Sequence, residues 1–372
     1  MKEEKEQLNA LPVKNGSKTA YTIYLEDGFE KLADYAGEEL SPGERKLCIV
    51  SDSNVWKLYG EAVTGLLAKV FDSVTSFVFP AGEEQKNLNT VRDLYEKLIQ
   101  EHFDRKDLLA ALGGGVTGDL TGFAAATYLR GVDFIQIPTS LLAQVDSSIG
   151  GKTGVDFDSY KNMVGAFHQP KMVYINLSTL KTLPEEQFAC GMGEVLKHGL
   201  IRDGAYYEWC INHMWELEER DTDTLREMVA QSCRIKRAVV EKDPRETGDR
   251  ALLNFGHTLG HAIEKLSDFR MLHGQCVALG GLMAAHISWK RNLLSTEEFF
   301  EIRDMNVGFG LPISLEGMDP REILAASKSD KKMEHGQIKF VLLKKIGRAF
   351  LDRTVTDEEM LAAISFFLDT EA

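Results

Sequence analysis

At 372 residues and 41.6 kDa the chain is long enough for two domains, and 44% hydrophobic with 27% charged residues excludes disordered, collagen-like and low-complexity architectures. Lys and Arg number 43 against 57 Asp and Glu, a net charge of −14 that repels polyanions and argues against nucleic acid as a partner. A local cluster of Lys and Arg can still hold a small anion against that field.

The first residues, 1–17, alternate charges and lack the apolar stretch of a signal peptide, so they read as a loose leader outside the fold. No run approaches the length of a membrane span, and a soluble protein with no membrane partner is expected. From 18 to 180, short apolar runs alternate with longer amphipathic stretches: AYTIYL, LCIVSD, VTSFVF, LLAALGG, DFIQIP and MVYINL. Stretches 55–70 and 88–102 have the length and apolar spacing of crossover helices. The expected product is an open, mostly parallel α/β sheet, which binds ligands at the carboxyl ends of its strands.

Beyond Leu183-Pro184 the rhythm becomes long and helical, over 185–201, 205–219, 223–241, from near 254, and over 274–290. QIKFVLLKKIGRAFL reads as a hairpin before a last helix at 357–368. The boundary is therefore placed near 180, dividing an α/β domain at 18–180 from a mainly helical, all-α domain at 181–372, with the cleft between them as the expected active site. AYYEWCINHMW reads as helix core and ELEERDTDTLRE as a solvated face. The cysteines Cys48, Cys190, Cys210, Cys233 and Cys276 are odd in number and include no C-x-x-C pair. They fit neither a disulfide framework nor a cysteine zinc site, which points to a reducing cytoplasm.

Six segments carry chemistry. Leu112 to Asp119, LGGGVTGD, follows an apolar strand, opens a helix and contains G-x-G-x-x-G. Glycines there admit a diphosphate to the backbone and to the helix N-terminus, although the acidic residue about 20 positions on that completes a dinucleotide fingerprint is not evident. Ser51-Asp52-Ser53-Asn54, after an earlier strand, either places Asp52 on ribose hydroxyls or is an ordinary helix N-cap provided by Asn or Ser.

NFGHTLGHAIE puts His257 and His261 one helical turn apart, so the two either share a metal or divide metal binding and proton transfer. The glycines in that helix, each costing up to about 1 kcal/mol against alanine, point to close approach by another element. His273 is a third ligand candidate or a capping residue. In GMGEVLKHG one helical face carries Glu194, Lys197 and His198: Glu194 would complete a His/His/Glu set with an open position, His198 is also a ligand candidate by spacing alone, and an i, i+3 salt bridge on a solvated face is the plainer alternative. Finally, DSSIGGKTG and YKNMVGAF place Lys152 and Lys161 on glycine-rich loops suited to phosphate or carboxylate.

Together these segments resemble the 3-dehydroquinate synthase family. The resemblance runs from about Asp52 to the C-terminal hairpin through GGGVTGDLTGFAAATYLRG, IPTSLLAQVDSSIGGKTGVD, KNMVGAFHQP, GMGEVLKHG, EKDPRETGDRALLNFGHTLGHAIE and LHGQCVALG, in the family's order. It implies a Rossmann-like NAD-binding α/β domain, a helical metal-binding domain, a homodimer, and 3-deoxy-D-arabino-heptulosonate 7-phosphate as substrate. In the family's reaction NAD oxidises a ring hydroxyl to a ketone, phosphate is eliminated, the ketone is reduced again, the ring opens, and an intramolecular aldol step closes the carbocycle.

Matched by motif position, Glu194, His257 and His273 would ligate a divalent metal, Zn2+ or alternatively Co2+. His261 and Glu246 would transfer protons, and Lys152 would be catalytic beside them. Arg130, Asp146, Lys152, Asn162, Lys197, Lys236, Arg250 and Asn254 would surround the substrate with the metal ligands, and Lys331 or Lys332 would also reach it. For NAD the match points to Asp52, Asn54, Glu83, Lys86, Gly114, Gly115, Val116, Asp119, Thr139, Ser140, Lys161, Thr179, Leu180, Lys181 and Thr182. The chain departs from the family at Ser140 (commonly Thr), at Cys190 (often Asn or Ser) and at Gly193 (commonly Ala), the last expected only to loosen its helix. Another sugar phosphate cyclase such as 2-deoxy-scyllo-inosose synthase, which Arg250 and Asn254 argue against, and a metal-dependent polyol dehydrogenase are the rival activities.

Overall fold

In the computed structural model, residues 9–368 are described apart from 159, 247, 269, 329–332 and 335–336. All six expected runs form strands: β2 (Lys18–Glu26), β3 (Lys46–Asp52), β4 (Ser73–Phe79), β5 (Leu108–Gly113), β6 (Asp133–Pro138) and β9 (Met172–Asn176). With β1 (Ala10–Asn15) they make one seven-stranded sheet in the order β1-β2-β9-β6-β5-β3-β4, parallel except for the β1 edge. The alternation of side chains sorts each strand onto two faces. Leu47, Ile49, Leu108, Ala110 and Leu112 pack under α1 (Leu32–Leu40) and under α2, a continuous run of Ser53–Val55, Trp56–Gly60 and Glu61–Leu67. Cys48, Val50 and Leu109 pack on the other face against α3 (Leu88–Gln100) and α4 (Gly115–Thr127). Burial on both faces is why these strands read as nearly continuous apolar runs.

The expected leader ends sooner than predicted. Residues 10–15 are strand β1, joined to β2 through Gly16 at φ 64°. Leu11 and Val13 alternate inward and are buried, too few apolar positions to signal a strand in the sequence. The Arg226 guanidinium holds the start of this hairpin, donating to Asn9 Oδ1 (2.8 Å) and Leu25 O (3.0 Å) and pairing with Asp27. A second difference concerns 146–167: instead of glycine-rich loops, β7 (Lys152–Phe157) and β8 (Tyr160–Phe167) form an antiparallel hairpin in which Gly154 faces Gly165.

The chain divides into two compact units, one holding the chain up to Leu183 together with Leu225–Pro244, the other holding Pro184–Thr224 and the chain from Arg245 on. A single boundary near 180 therefore does not describe it. The pattern over 223–241 predicts a helix, but not that most of α8 (Thr222–Lys242), from Leu225 on, belongs with the first unit.

The second unit contains α5 (Glu185–Arg202), α6 (Gly204–Asn212), α7 (Met214–Glu218), α9 (His257–Leu266), α10 (His273–Lys290), α11 (Thr296–Gly308), α12 (Pro320–Lys328) and α13 (Asp357–Phe366). Short strands β10 (Met333–Glu334) and β11 (Gln337–Ile338) pair, as do β12 (Phe340–Lys345) and β13 (Arg348–Asp352), the expected hairpin. The single helix expected over 205–219 breaks at His213, which leaves Trp215 71% exposed rather than in the core. Within ELEERDTDTLRE, Leu217, Leu225 and Arg226 are buried, so that face is not wholly solvated.

Helices α5 and α10 are buried on all sides, which is why neither shows a clean apolar stripe. They cross where Gly274 meets the Cys190 backbone: a Cβ on Gly274 would fall inside the Cys190 carbonyl oxygen, and one on Gly193 would lie 2.8 Å from Gly274 O. Gly193 is thus a contact point, not merely a loosened turn. Gly280 meets Gly256 and Gly260 in the same way, the close approach predicted from the glycines of the histidine helix.

Candidate active site

In the first unit, consecutive crossovers run in opposite directions from β3, to β4 on one side and on to β5 on the other. The carboxyl ends of β3 and β5 flank that reversal, the place where open α/β sheets take ligands. Both candidate segments lie there. Strand β5 ends at Gly113, Gly114 caps α4, and the amides of the first turn begin at Gly115 and Val116. Thr139 N donates to Gly113 O (3.0 Å), and Cβ atoms on Gly114 and Gly115 would sit 3.3 Å from Ser140 Oγ and Ser147 Oγ. The glycines therefore keep a narrow approach to the backbone clear.

Asp52 itself, rather than Ser53 or Asn54, is the N-cap of α2. Its Oδ1 accepts from Asn54 N (2.9 Å) and Val55 N (3.1 Å), and Oδ2 lies 3.5 Å from Thr117 Oγ1 on α4. Thr179 and Leu180 are buried just after β9, with Gln144 Nε2 donating to Thr179 Oγ1 (3.1 Å). Lys181 and Thr182 are exposed beyond them, and Thr182 is bonded to the Tyr59 hydroxyl.

Next to the glycine turn is a polar cluster around the buried Lys86. Lys86 Nζ donates to Asp119 Oδ2 (2.6 Å) and Asn162 Oδ1 (2.7 Å), and Lys161 Nζ pairs with Glu83 Oε1 (3.2 Å). Burial disfavours the Lys86 ammonium, but Asp119, Glu83 and Asp156 override it and hold the pKa above its ordinary value. Asp156 was not singled out in the sequence. Its carboxylate accepts from Asn162 N (2.7 Å), holding Asn162 at φ 51°, and its own N–H donates to Lys86 O (2.8 Å). Only the pairing of β7 with β8 brings these residues together.

Elsewhere in this unit Lys236 Nζ donates to Asp146 O (2.6 Å) and Oδ1 (2.5 Å), and Lys152 is exposed at the start of β7. Arg130 is not brought to the glycine turn. With Leu129 it adopts positive φ, 72° and 50°, in the exposed segment before β6, at the amino ends of the strands.

In the second unit the helix crossings just described bring Glu194 of α5, His257 of α9 and His273 of α10 together, with one ligand atom from each within 4.8 Å of the others. Glu194 is fully buried and its Oε1 has no hydrogen-bond donor. His257 Nε2 lies 3.9 Å and His273 Nε2 3.7 Å from that oxygen, while the Lys197 ammonium, itself buried, pairs with Oε2. The far nitrogens are engaged: His257 Nδ1 with Phe255 O (3.0 Å) and His273 Nδ1 with Glu264 Oε2 (3.5 Å). Two imidazole nitrogens and an orphaned carboxylate oxygen at this spacing suit one tetrahedral cation with a position left open.

The Glu194–Lys197 pair does form, on a buried rather than a solvated face. The ring of His261 stands 5.2 Å from that of His257 and 5.8 Å from that of His273, beside the group rather than in it. His198 is buried on the same helix as Glu194. Asn254 Nδ2 donates to Glu246 Oε1 (2.5 Å), Glu246 adopts φ 58°, and Arg250 is buried in the turn between them. Lys331 and Lys332 lie outside the described residues.

The chain matches the family profile described as 3-dehydroquinate synthase N-terminal over residues 76–190 and that described as 3-dehydroquinate synthase C-terminal over 191–333. It is 42% identical over 345 residues to a 3-dehydroquinate synthase of Acetivibrio thermocellus, covering 93% of this chain and 95% of that protein. In three dimensions it is similar to 2-deoxy-scyllo-inosose synthase complexed with carbaglucose-6-phosphate, NAD+ and Co2+ (TM-score 0.88, 24% identity, 96% of this chain and 100% of that one). A second similar structure is 2-epi-5-epi-valiolone synthase from Streptomyces hygroscopicus subsp. jinggangensis with NAD+ and Zn2+ bound (TM-score 0.87, 26% identity, 96% and 99%).

Proposed function

The chain belongs to the 3-dehydroquinate synthase family, and from that premise we infer how its own residues divide the work of turning 3-deoxy-D-arabino-heptulosonate 7-phosphate into 3-dehydroquinate and inorganic phosphate. The activity is that of a carbon–oxygen lyase serving aromatic amino acid biosynthesis through the shikimate pathway. When bound, NAD supplies a reversible hydride acceptor and the metal a Lewis acid at the hydroxyl being oxidised, so that a transient ketone acidifies the neighbouring C–H and phosphate can leave.

The first unit holds the dinucleotide. Gly114, Gly115 and Val116 offer free amides and the positive end of α4 to the diphosphate, with Thr139 and Ser140 beside them. Asp52 and Asn54 stand at the adjacent strand end for the ribose, Thr179 to Thr182 line the end of β9, and Lys86, Asp119, Glu83 and Lys161 form the polar wall.

The second unit holds the metal on Glu194, His257 and His273. Zinc is proposed, because two imidazoles and one carboxylate with an open position form a catalytic zinc set that cobalt also accepts. The observation that carries this assignment is the buried Glu194 Oε1, which has no donor and faces both Nε2 atoms.

His261, beside the ligands, moves a proton at its ring nitrogen, and Glu246, oriented by Asn254, does so at its carboxylate. Lys152, Lys197, Lys236, Arg250 and one lysine of SDKK supply positive charge to the substrate's phosphate and carboxylate. Asp146, Asn162 and Asn254 take its hydroxyls. The same reading makes the protein a cytoplasmic homodimer. The homodimer is carried over from the family resemblance, and the reducing compartment is supported by five buried free thiols.

The deciding experiment follows phosphate release from the heptulosonate phosphate with trace NAD and zinc while absorbance of reduced NAD is recorded. Many phosphates per NAD without accumulation of reduced cofactor is the expected result. Stoichiometric reduction of NAD by simple polyols, with no phosphate, would overturn the reading.

A further inference from the structure

We propose that Glu264 is a positioning residue for the metal centre: it accepts the Nδ1 hydrogen of His273 and so presents Nε2 of that ring to the point shared with Glu194 and His257. The inference rests on reading those three residues as ligands. Glu264 lies on α9 two turns beyond His257 and is 2% exposed, flanked by the buried Ala262 and Ile263. A carboxylate in such a place is costly unless something compensates its charge. Its Oε2 is 3.5 Å from His273 Nδ1, while Nε2 of the same ring is 3.7 Å from Glu194 Oε1. The imidazole is therefore strung between two buried carboxylates. A hydrogen on Nδ1 satisfies Glu264 and leaves the Nε2 lone pair facing the centre.

His257 is held the same way by a neutral acceptor, the Phe255 carbonyl at 3.0 Å from Nδ1. At His273 the acceptor facing Nδ1 is formally anionic, which strengthens that ring as a donor to a cation. Glu264, His261 and His273 also lie within 4.8 Å of one another, so Glu264 could itself be a ligand. The orphaned Glu194 Oε1 argues for the Nε2 side, because a cation bound through Nδ1 would leave that buried oxygen uncompensated.

The test measures zinc dissociation constants of the full chain by competition with a chromophoric chelator. Glu264→Gln keeps the size and an acceptor oxygen, and Glu264→Ala removes the group. Zinc binding is expected to weaken about 10-fold in the first and up to about 100-fold in the second. The melting temperature of metal-free Glu264→Gln should match the parent, and the nitrogen-15 NMR signal of a protonated His273 Nδ1 should be lost from zinc-loaded Glu264→Ala. Should the alanine variant fail to fold, the glutamine variant carries the test.

Binding within about twofold of the parent in the folded variants overturns the inference, since an outer-sphere partner is worth about tenfold or more. A loss as complete as that of His257→Ala also overturns it, by making Glu264 a ligand. If His257→Ala binds zinc like the parent, the ligand assignment itself is what fails, and this inference falls with it.

Discussion

Glu194 places a carboxylate where water cannot reach it, with one oxygen against Lys197 and the other facing two imidazoles. Taking such a group out of water costs several kcal/mol in effective terms, a cost that a bound divalent cation would offset better than a single ammonium. Removing an imidazole from the set should therefore be felt first as lost metal and only second as lost fold. His257→Ala is expected to leave purification with less than about a tenth of the parent's zinc per chain, read by elemental analysis, with helical circular dichroism unchanged. Full zinc occupancy in that variant would contradict the ligand role.

Between elements, distance is controlled by residues that have no side chain. The crossing of α5 and α10 at Cys190 and Gly274 brings Glu194 within reach of His273, and it closes because Gly274 has no Cβ. Gly274→Ala must push the two helices apart. We expect a loss of about 1–3 kcal/mol in denaturant unfolding, as for other overpacked interiors, accompanied by weaker zinc binding. An alanine variant that is as stable as the parent and binds zinc equally well would show that the crossing has slack.

The far part of α10 tells a different story. There His286 sits among Trp289, Phe299, Phe366 and Phe367, its Nδ1 without a hydrogen-bond partner. Burial, aided by Lys290, pushes its pKa down to about 4. Because the unfolded chain takes up this proton near the ordinary value of 6.5, stability is intact above that pH and falls as pH drops from 6.5 towards 4. The loss from this one group should reach about 3 kcal/mol, and His286→Phe should flatten that part of the stability profile measured by urea titration.

At the scale of the molecule, the assignment of Leu225–Pro244 to the first unit means that the α/β unit is not a contiguous stretch of chain. Its last helix arrives after an excursion into the second unit. That helix carries Arg226, the clamp on Asn9 and Leu25, and Lys236, the partner of Asp146. A fragment ending at residue 183 should therefore bind the dye ANS and give poorly dispersed NMR spectra. Adding the 222–244 helix as a peptide should reverse both. A well-dispersed spectrum from the fragment alone would mean that the sheet does not depend on that helix.

Much of this was legible without coordinates. The central strands stand out as apolar runs because both faces of the sheet are covered there, and the glycine turn is recognisable because it directly follows a strand and opens a helix. The spacing of His257 and His261 put two imidazoles on one helix, and family motifs in register supplied Glu194 and His273. Other features have no local signature. Strand β1 has only Leu11 and Val13 to bury, Asp156 matters through a hairpin partner, and α8 belongs to whichever unit its apolar face meets. Local periodicity and turn chemistry are properties of neighbouring residues, so the sequence by itself determined the α/β rhythm, the helical second half and the motifs. Which nitrogen of His273 faces Glu194, which residue caps α2, and where Arg130 stands relative to the glycine turn were decided by tertiary structure, because each depends on distances between segments far apart in the chain.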